Sequence, residues 1–318
     1  MERIKEFFKC FKSARAVVAA YRNTKLWLKK KHHELRARIN PLKVNRELYV
    51  RNHGKEPNLE NPENFNEKVM WLLHNVYKYD PLVTKCADKV GMRDYIEELG
   101  LGEVLPDIYG VWRRPKDVPW DELPERFVVK CNHGCGCNII CTDKSALDRK
   151  DANKKLRRWL RRNFAYMYGE VNYKNIKPMI FAEEFLDDGT GKQPVDYKLM
   201  CFHGEPRMIM VCTQRETGAK FMFTDPGYND LSLEKGWHAG GTLPERPDCL
   251  EQMLEAGRQI SKGFPFVRVD FYSIKGKPYL GEMTFSPLGC AIDYITDDGL
   301  KMMGDWLDIS AYKKGERK

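Results

Sequence analysis

The sequence predicts an α+β protein, because strand-like and helix-like patterns occupy different parts of the chain. Residues 195–211 and 267–284 each contain two β-prone runs around a short glycine-bearing turn, which is the pattern of a β-hairpin. Residues 64–77 and 87–100 instead carry helical patterns with recognisable ends. The composition, 42% hydrophobic and 31% charged over 318 residues, is typical of a soluble globular protein with two or three subdomains.

Residues 1–46 are predicted to form a basic amphipathic helical arm. They contain 14 Lys/Arg and 3 Asp/Glu, whereas residues 47–318 contain 40 and 42, so the net charge of +9 resides in the arm. Apolar residues recur at helical spacing from Ile4 to Tyr21, and the Asn40-Pro41 pair should end the helix. Two interpretations stay open, namely packing on the body or on a second subunit, and contact with an anionic membrane surface. Nucleic acid is not an expected partner, because no base-reading motif accompanies the helix.

The cysteines and the hydropathy pattern predict a cytoplasmic location. Ten cysteines occur without the spacing of a disulfide framework, which indicates reduced thiols. The longest apolar run of the arm is too short to span a bilayer, so any membrane association would be peripheral, at the inner face.

After the arm, the sequence predicts a helical region over residues 47–105. Asn64 and Glu67 have the spacing of a capping box, which opens a helix that extends to Tyr77. A second helix is predicted over residues 87–100, where Gly100 ends it. The remaining chain is expected to form two subdomains, 106–190 with a glycine-rich loop and 191–318 with a metal site.

Residues 127–141 read as two strands around a small glycine-bearing loop. Lys130 stands late in the first strand, and Gly134 and Gly136 allow backbone N–H groups to surround an anion. The loop lacks the ending of a Walker A motif, and an ordinary hairpin would have the same pattern. Zinc binding by the four nearby cysteines and His133 is disfavoured, because their spacing lacks C-x-x-C pairs.

A helix follows over residues 156–168, and then a short apolar strand near residues 179–186. The helix carries four arginines, Arg157, Arg158, Arg161 and Arg162, which either bind phosphate or carboxylate or form a solvated face. In the next hairpin Asp196 and Lys198 share one face of a strand. Candidates for an acceptor pocket lie between Arg215 and Gly241 and include Lys220, Trp237 and His238, although an ordinary loop would also explain them.

The hairpin over residues 267–284 carries the most informative charges. Arg268 and Asp270 share one strand face, Glu282 and Thr284 share a face of the returning strand, and the register can set Glu282 against Asp270. Two carboxylates on neighbouring strands suit Mg²⁺, which binds one or two carboxylates plus substrate phosphates. The alternative is a ladder of solvent-facing salt bridges.

The order of these motifs resembles the ATP-grasp fold, in which two α+β subdomains grip ATP. The resemblance is closest to the TupA-like ATP-grasp family of teichuronopeptide and other surface-polysaccharide biosynthesis, over residues 61–308. It rests on Ala87-Asp88-Lys89, on the Asn-His-Gly-x-Gly-x-Asn core at 132–138, on Asp196-Tyr197-Lys198, on Arg268-x-Asp270 and on Glu282-Met283-Thr284.

The resemblance implies a role for each matching residue. Lys130 and Lys198 would contact ATP, and Lys198 and Arg268 would act on the transferred phosphoryl group. The phosphates would lie under the loop residues His133, Gly134, Gly136 and Asn138, adenine would lie against Glu183, Glu184, Phe185 and Leu186, and Asp196 would hold the ribose. Asp270 and Glu282 would ligate Mg²⁺. Thr284 stands where such ligases often carry Asn, so its place as a metal ligand is a departure from the pattern.

The function that the resemblance implies is ATP-dependent ligation of a carboxylate to an amine through an acyl phosphate. The carboxylate would belong to a uronic acid or an acidic peptide of a bacterial surface polymer, and the donor would be an amino acid or another amine. Two alternatives stay open: a phosphotransferase acting on a sugar hydroxyl, and a non-catalytic protein that docks on membranes. A glycosyltransferase is disfavoured because no Asp-x-Asp signature ends a strand.

Overall fold

The computed structural model describes residues 21, 24–25, 28–29, 31–191 and 193–315. The apolar repeat predicted from Ile4 onward falls mostly outside the described residues. Residues 31–39 are helical, and the helix ends at Asn40 as predicted. A new helix, α1 (Pro41–His53), begins directly afterwards, and the Asn40 side chain caps it by accepting a hydrogen bond from the backbone N–H of Lys43 at 2.9 Å.

The helices after α1 are α2 (Phe65–Asn75), α3 (Pro81–Ala87), α4 (Gly91–Glu98), α5 (Arg149–Leu160), α6 (Ala165–Tyr168), α7 (Leu250–Ser261), α8 (Asp297–Trp306) and α9 (Ser310–Lys313). The capping box predicted at the start of α2 is confirmed, with Asn64 and Glu67 bonded to each other's backbone.

Two predicted helices are interrupted, and in each case a short polar side chain explains the break. The helix expected over 87–100 begins only at Gly91, because the Asp88 carboxylate accepts the backbone N–H of Val90 at 2.9 Å in a turn. The helix expected over 156–168 is divided into α5 and α6, because the Asn163 side chain accepts the backbone N–H of Ala165 at 3.0 Å.

The strands are β1 (Ile108–Trp112), β2 (Phe127–Cys131), β3 (Asn138–Cys141), β4 (Ile180–Glu184), β5 (Asp196–Phe202), β6 (Glu205–Thr213), β7 (Lys220–Thr224), β8 (Phe266–Ile274) and β9 (Lys277–Thr284). Within the described residues they form a four-stranded sheet ordered β1-β4-β2-β3 and a five-stranded sheet ordered β7-β6-β5-β8-β9. The α+β prediction is therefore confirmed.

Both predicted hairpins of the larger sheet turn through two residues with positive φ. The β5–β6 turn is His203-Gly204, with φ of 51° and 87°, and the β8–β9 turn is Lys275-Gly276, with φ of 51° and 75°. Positive φ at both positions suits the right-handed twist of the flanking strands, so these turns fix the pairing close to the loop.

Two hydrophobic cores underlie the two sheets. The larger core joins the five-stranded sheet and α7 to the N-terminal helices α1 to α4, and the smaller core joins β2, β3 and β4 to α5. The four-stranded sheet lies within the predicted 106–190 subdomain and the five-stranded sheet within 191–318. The helices of 47–105, however, share a core with the five-stranded sheet, and the four-part division stays a prediction about folding units.

The described part of the arm packs on the body along one side only. His33 donates a hydrogen bond from Nε2 to the carbonyl of Met167 at 2.8 Å, and Ala37 is buried. Leu35 and Ile39 are exposed on the other side of the same helical segment. Over the described residues, no helix has the length and apolar character that crossing a bilayer requires.

Candidate active site

The β8–β9 hairpin brings Asp270 and Glu282 opposite each other, as the sequence predicts. Regular pairing from the turn, as in Phe271 with Leu280, would place Gly281 opposite Asp270. A β-bulge at this point shifts the register by one residue and places Glu282 there instead. The carboxylate pair therefore depends on one extra residue in β9, Gly281.

Arg268 and Lys198 hold the two carboxylates. Arg268 donates two hydrogen bonds to Asp270, both at 2.7 Å, and others to Glu282 at 3.3 Å and to the Thr284 hydroxyl at 3.1 Å. Lys198 donates to Asp196 at 2.5 Å and to Asp270 at 2.6 Å. Asp270 is only 2% exposed, so this network is not the solvent-facing ladder that the sequence left open.

Lys89, to which the sequence analysis gave no role, completes the network from the helical region. Its ammonium group lies 2.8 Å from Glu282 and donates to the carbonyl of Gly134 at 3.1 Å. Its backbone N–H also donates to the carbonyl of Asn132 at 3.1 Å. Lys89 thus ties the glycine-rich loop to the carboxylate pair.

The pKa shifts follow from these contacts. Although burial acts in the opposite direction, Lys89 and Arg268 hold the pKa of Glu282 well below its usual range. Burial alone would lower the pKa of Lys198, but Asp196 and Asp270 outweigh it and raise this pKa. Burial raises the pKa of Asp270, against the opposing effect of Arg268 and Lys198. The cations of the network therefore hold Glu282 charged, whereas burial works against the charge on Asp270.

The glycine-rich loop approaches the network through Gly134 and Gly136. A Cβ atom on Gly134 would lie 2.2 Å from the Phe164 ring, so a close contact requires glycine there. Gly136 has a φ of 65° and open space around it, so its backbone conformation requires glycine. Asn138 begins β3 and lines the cleft described below.

The expectation that His133 contacts phosphate needs correction. Its ring is 2% exposed and turns away from the cleft, where Nε2 donates to the carbonyls of Trp159 at 3.3 Å and Arg162 at 3.1 Å. Burial lowers the pKa of His133, which keeps the ring neutral. His133 anchors the loop on α5.

A cleft of about 490 Å³ lies between the two sheets. Its walls include Lys130, Asn138, the predicted adenine segment Glu183–Leu186, and, from the side of the larger sheet, Arg215 and Tyr272. Lys130 forms an ion pair with Glu183, and the Arg126 guanidinium lies 4.4 Å from the centre of the Phe185 ring. The volume is within the range of cofactor sites.

A smaller chamber of about 180 Å³ adjoins the cleft and shares four lining residues with it, Lys130, Asn138, Arg215 and Tyr272. The chamber is bounded by Lys198, Asp270 and Glu282. Asp196, for which the resemblance implies ribose binding, lines this inner chamber and not the outer cleft. Its Oδ1 atom is buried without a hydrogen-bond partner among the described residues.

Two further charged residues lie near the network: Arg215, which begins the segment proposed for the acceptor pocket, and Glu170, which received no site role from the sequence. Arg215 lines both cavities and lies 3.9 Å from Asp196. Glu170 accepts a hydrogen bond from the Ser286 hydroxyl at 3.0 Å, and burial raises the pKa of Glu170 to about 7. Neither residue lies in a motif that sequence reasoning could have separated from ordinary surface charge.

The three side chains named as acceptor candidates, Lys220, Trp237 and His238, lie apart from the two cavities, whereas Arg215 at the start of the same segment lines both. Lys220 donates to the carbonyls of Trp237 at 2.8 Å and Ala239 at 2.6 Å, and the His238 ring stacks on Phe221. Trp237 is 68% exposed. Their part in acceptor binding stays a prediction.

The chemistry of the chamber fits Mg²⁺. Asp270 and Glu282 supply hard oxygen ligands, and Thr284 adds a hydroxyl on the same strand face as Glu282. Among the described residues, no three His, Cys, Asp or Glu side chains are grouped to hold a metal ion by themselves. Mg²⁺ usually takes one or two carboxylates and completes its coordination with water and substrate phosphates, so two carboxylates beside a polar chamber suffice.

Two facing sheets that enclose such a cleft, with a charged hairpin at its inner end and a glycine-rich loop over it, define a protein of the ATP-grasp class. The sequence model of the TupA-like ATPgrasp family matches residues 67–308, roughly three quarters of the chain. The chain belongs to the TupA-like ATPgrasp family, as the order of its motifs predicts.

Solved structures with a similar fold are distant in sequence. They include the D-alanine–D-alanine ligase of Bacillus anthracis complexed with ATP (TM-score 0.45, 15% identity, 73% of this chain and 67% of that chain). The L-amino acid ligase of Bacillus licheniformis has a TM-score of 0.45 and 14% identity over 79% of this chain and 56% of that chain. The ATP-grasp ligase PsnB, complexed with a phosphomimetic variant of its minimal precursor, Mg and ADP, has a TM-score of 0.37 and 11% identity over 74% of this chain and 59% of that chain. No curated protein matches the chain significantly.

Proposed function

We propose that this protein is an ATP-dependent carboxylate–amine ligase that forms a C–N bond and releases ADP. The observation that carries the proposal is the Asp270–Glu282 pair, with Asp270 buried and Glu282 partly buried, held by Arg268 and Lys198 at the inner end of a nucleotide-sized cleft. Family membership and the ligases with similar folds support the same class of reaction.

The two cavities divide the proposed binding of ATP between them. Adenine would lie in the outer cleft against Glu183–Leu186, and the phosphates would reach Lys130, Lys198 and the loop from Gly134 to Asn138. Asp270 and Glu282 would hold Mg²⁺, with Thr284 as a further oxygen ligand. When bound, Mg²⁺ neutralises the phosphate charge and supplies electrophilic assistance to phosphoryl transfer.

The proposed chemistry activates a carboxylate that amines cannot attack directly. A carboxylate oxygen takes the γ-phosphoryl group, the bond to the bridging oxygen breaks, and ADP leaves. The amine nitrogen then attacks the carbonyl carbon and loses a proton, and phosphate departs with the C–O bond. Arg268 lies where it can neutralise charge on the phosphoryl group and on the tetrahedral intermediate, and Lys198 orients the same site through Asp270.

We further propose that the acceptor is a uronic acid or an acidic peptide of a bacterial surface polymer, and that the donor is an amino acid or another amine. The family resemblance supports this assignment. The reaction would take place in the cytoplasm, with residues 1–46 in contact with the anionic inner face of the membrane.

The test begins with nucleotide binding, because it requires no knowledge of the acceptor. Ligand at 100 times its dissociation constant stabilises a fold by about 2.7 kcal/mol, which raises the melting temperature by several degrees. We expect this rise with ATP and Mg²⁺ together and a smaller one with either alone. Mass spectrometry of reactions with candidate acceptors and amines should then show an amide product with ADP.

Asp270→Asn and Glu282→Gln are expected to remove the Mg²⁺-dependent part of the stabilisation and all amide formation, while the variants stay folded. Asp305→Asn is a matched control, because it removes an exposed carboxylate of α8 that, among the described residues, pairs only with Lys301 and lines neither cavity. Wild-type turnover by the Asp270 and Glu282 variants would refute the metal assignment. A phosphorylated sugar without an amide would identify the phosphotransferase instead.

A further inference from the structure

A strongly cationic groove lies between the helical residues 31–39 and α5. It has a volume of about 690 Å³, and its lining among the described residues comprises seven cationic and two acidic side chains. The two acids are already paired, Glu34 with Lys31 and Asp151 with Lys155, both at 2.8 Å. The five remaining cations, Lys154, Arg157, Arg158, Arg161 and Arg162, have no acidic partner within 4 Å in the described part of the chain.

This arrangement costs stability unless an anion is bound. Like charges three and four positions apart repel one another on a helix. The negative end of the α5 dipole favours a cation or two near its last turn, but it does not account for five. Guanidinium groups present paired donors that match the oxygens of phosphate, so four neighbouring arginines form a suitable site for several phosphate groups.

An exposed apolar stripe lies beside the groove. The described residues between 21 and 39 are helical, and Tyr21, Leu28, Leu35 and Ile39 are 68%, 55%, 56% and 76% exposed. Leu35 and Ile39 are four residues apart in the continuously described segment 31–39 and share one helical face, and the spacings of seven that separate Tyr21, Leu28 and Leu35 are typical of one face of a helix. Lys31, which lines the groove, is three residues from Leu28 and four from Leu35, so the stripe follows the edge of the groove.

We propose that the stripe and the groove form one docking surface for an anionic lipid bilayer. The stripe enters the boundary between headgroups and acyl chains, and the arginines in the last turn of α5 and directly after it bind the headgroup phosphates. A soluble acidic polymer would use the groove but would leave the stripe in water, so the combination favours lipid. This inference deepens the location given under the proposed function and assigns α5 to the surface together with the arm.

Vesicle sedimentation of the full-length protein tests the surface without nucleotide, so its outcome is independent of the ligase proposal. The vesicles contain phosphatidylcholine alone or with phosphatidylglycerol at about three to one. The groove variant is Arg157→Gln, Arg158→Gln, Arg161→Gln and Arg162→Gln together. The stripe variant is Leu28→Ser, Leu35→Ser and Ile39→Ser. The matched control removes four exposed cations elsewhere, by Arg113→Gln, Lys116→Gln, Lys262→Gln and Lys277→Gln.

We expect binding only to the anionic vesicles. The groove variant should weaken it by roughly several hundredfold, because each of the four cations near an anionic surface contributes about fivefold in affinity. The stripe variant should weaken binding at least tenfold, and the control less than threefold. Equal losses in the groove variant and the control would overturn the proposal, as would absence of vesicle binding. Binding of soluble polygalacturonate that depends on the groove but not on the stripe would identify a polymer site instead.

Discussion

Lys89 shows how much a residue to which its motif assigned no role can contribute to the site. It lies in the turn between two helices, far in sequence from Glu282, and yet its ammonium group contacts both this carboxylate and the carbonyl of Gly134. Its side chain is only 14% exposed, so solvent screens these contacts weakly.

Replacement of Lys89 by Met should therefore weaken ATP binding. A hydrogen bond between charged groups contributes about 1.5–3 kcal/mol, which corresponds to roughly a 10- to 100-fold rise in the dissociation constant. Isothermal titration calorimetry with MgATP measures this change. Lys85→Met is the matched control, since Lys85 pairs with Glu98 at the surface and its loss should change the affinity less than twofold. Equal affinities for the Lys89 variant and the wild type would contradict the role of Lys89.

Gly134→Ala should destabilise the glycine-rich loop. The added Cβ atom would lie 2.2 Å from the Phe164 ring, and overpacking of this kind typically costs about 1–3 kcal/mol. Chemical denaturation measures the free energy of unfolding. The smaller side chain in the double variant Gly134→Ala with Phe164→Leu should recover part of the loss. If the changes in free energy of unfolding caused by the two substitutions simply add in the double variant, the contact with Phe164 is not the reason that position 134 requires glycine.

At the scale of elements, His74 joins three parts of the larger core. It lies in the last turn of α2 and donates a hydrogen bond from Nε2 to the Asn45 side chain of α1 at 2.7 Å. Asn45 in turn donates to the carbonyl of Gly289, in the turn after β9, at 3.0 Å. The helices of the N-terminal region therefore support the end of the strand that carries Glu282 and Thr284.

This contact should make the protein sensitive to acid. Burial lowers the pKa of His74 from 6.5 to about 4, so the folded state resists protonation. The contribution of neutral His74 to the free energy of unfolding is complete above pH 6.5. It is lost as the pH falls from 6.5 through about 4, by about 3 kcal/mol in total. His74→Gln keeps a donor for Asn45 but does not titrate. The difference in free energy of unfolding between wild type and variant should shrink by this amount from pH 8 to pH 4, and a constant difference would contradict the assignment.

For the whole molecule, the separation into two hydrophobic cores predicts two levels of stability. The smaller core consists of residues between Val118 and Ala182, whereas the larger core includes the N-terminal helices and the five-stranded sheet. A smaller core buries less apolar surface, so the four-stranded sheet should open at a lower free energy than the larger one.

Hydrogen exchange measured by mass spectrometry tests this prediction residue range by residue range. We expect amides of β2, β3 and β4 to exchange at least tenfold faster than those of β5 and β8 in the free protein. ATP with Mg²⁺ should slow exchange in β2 and β3 most, because the proposed nucleotide site lies between the sheets. Equal protection of both sheets without nucleotide would indicate a single cooperative unit.

The sequence by itself determined the local architecture of this protein. Alternating apolar residues and two-residue turns specified the hairpins, the Asn64–Glu67 spacing specified the start of α2, and the order of motifs indicated the family. These features depend on neighbours within a few residues, where backbone geometry and side-chain period act directly. The prediction that Glu282 faces Asp270 has the same origin, although it holds only because of the bulge at this point.

The tertiary structure alone decided how distant segments meet at the candidate site. It placed Lys89 beside Glu282, brought Arg215 and Asp196 into the inner chamber, and turned His133 onto α5 instead of toward the cleft. Such contacts depend on the packing of whole elements, and a residue's own neighbours in sequence carry no information about them. The same reason explains the basic groove, whose arginines are visible in the sequence, whereas its second wall comes from a helix more than a hundred residues earlier.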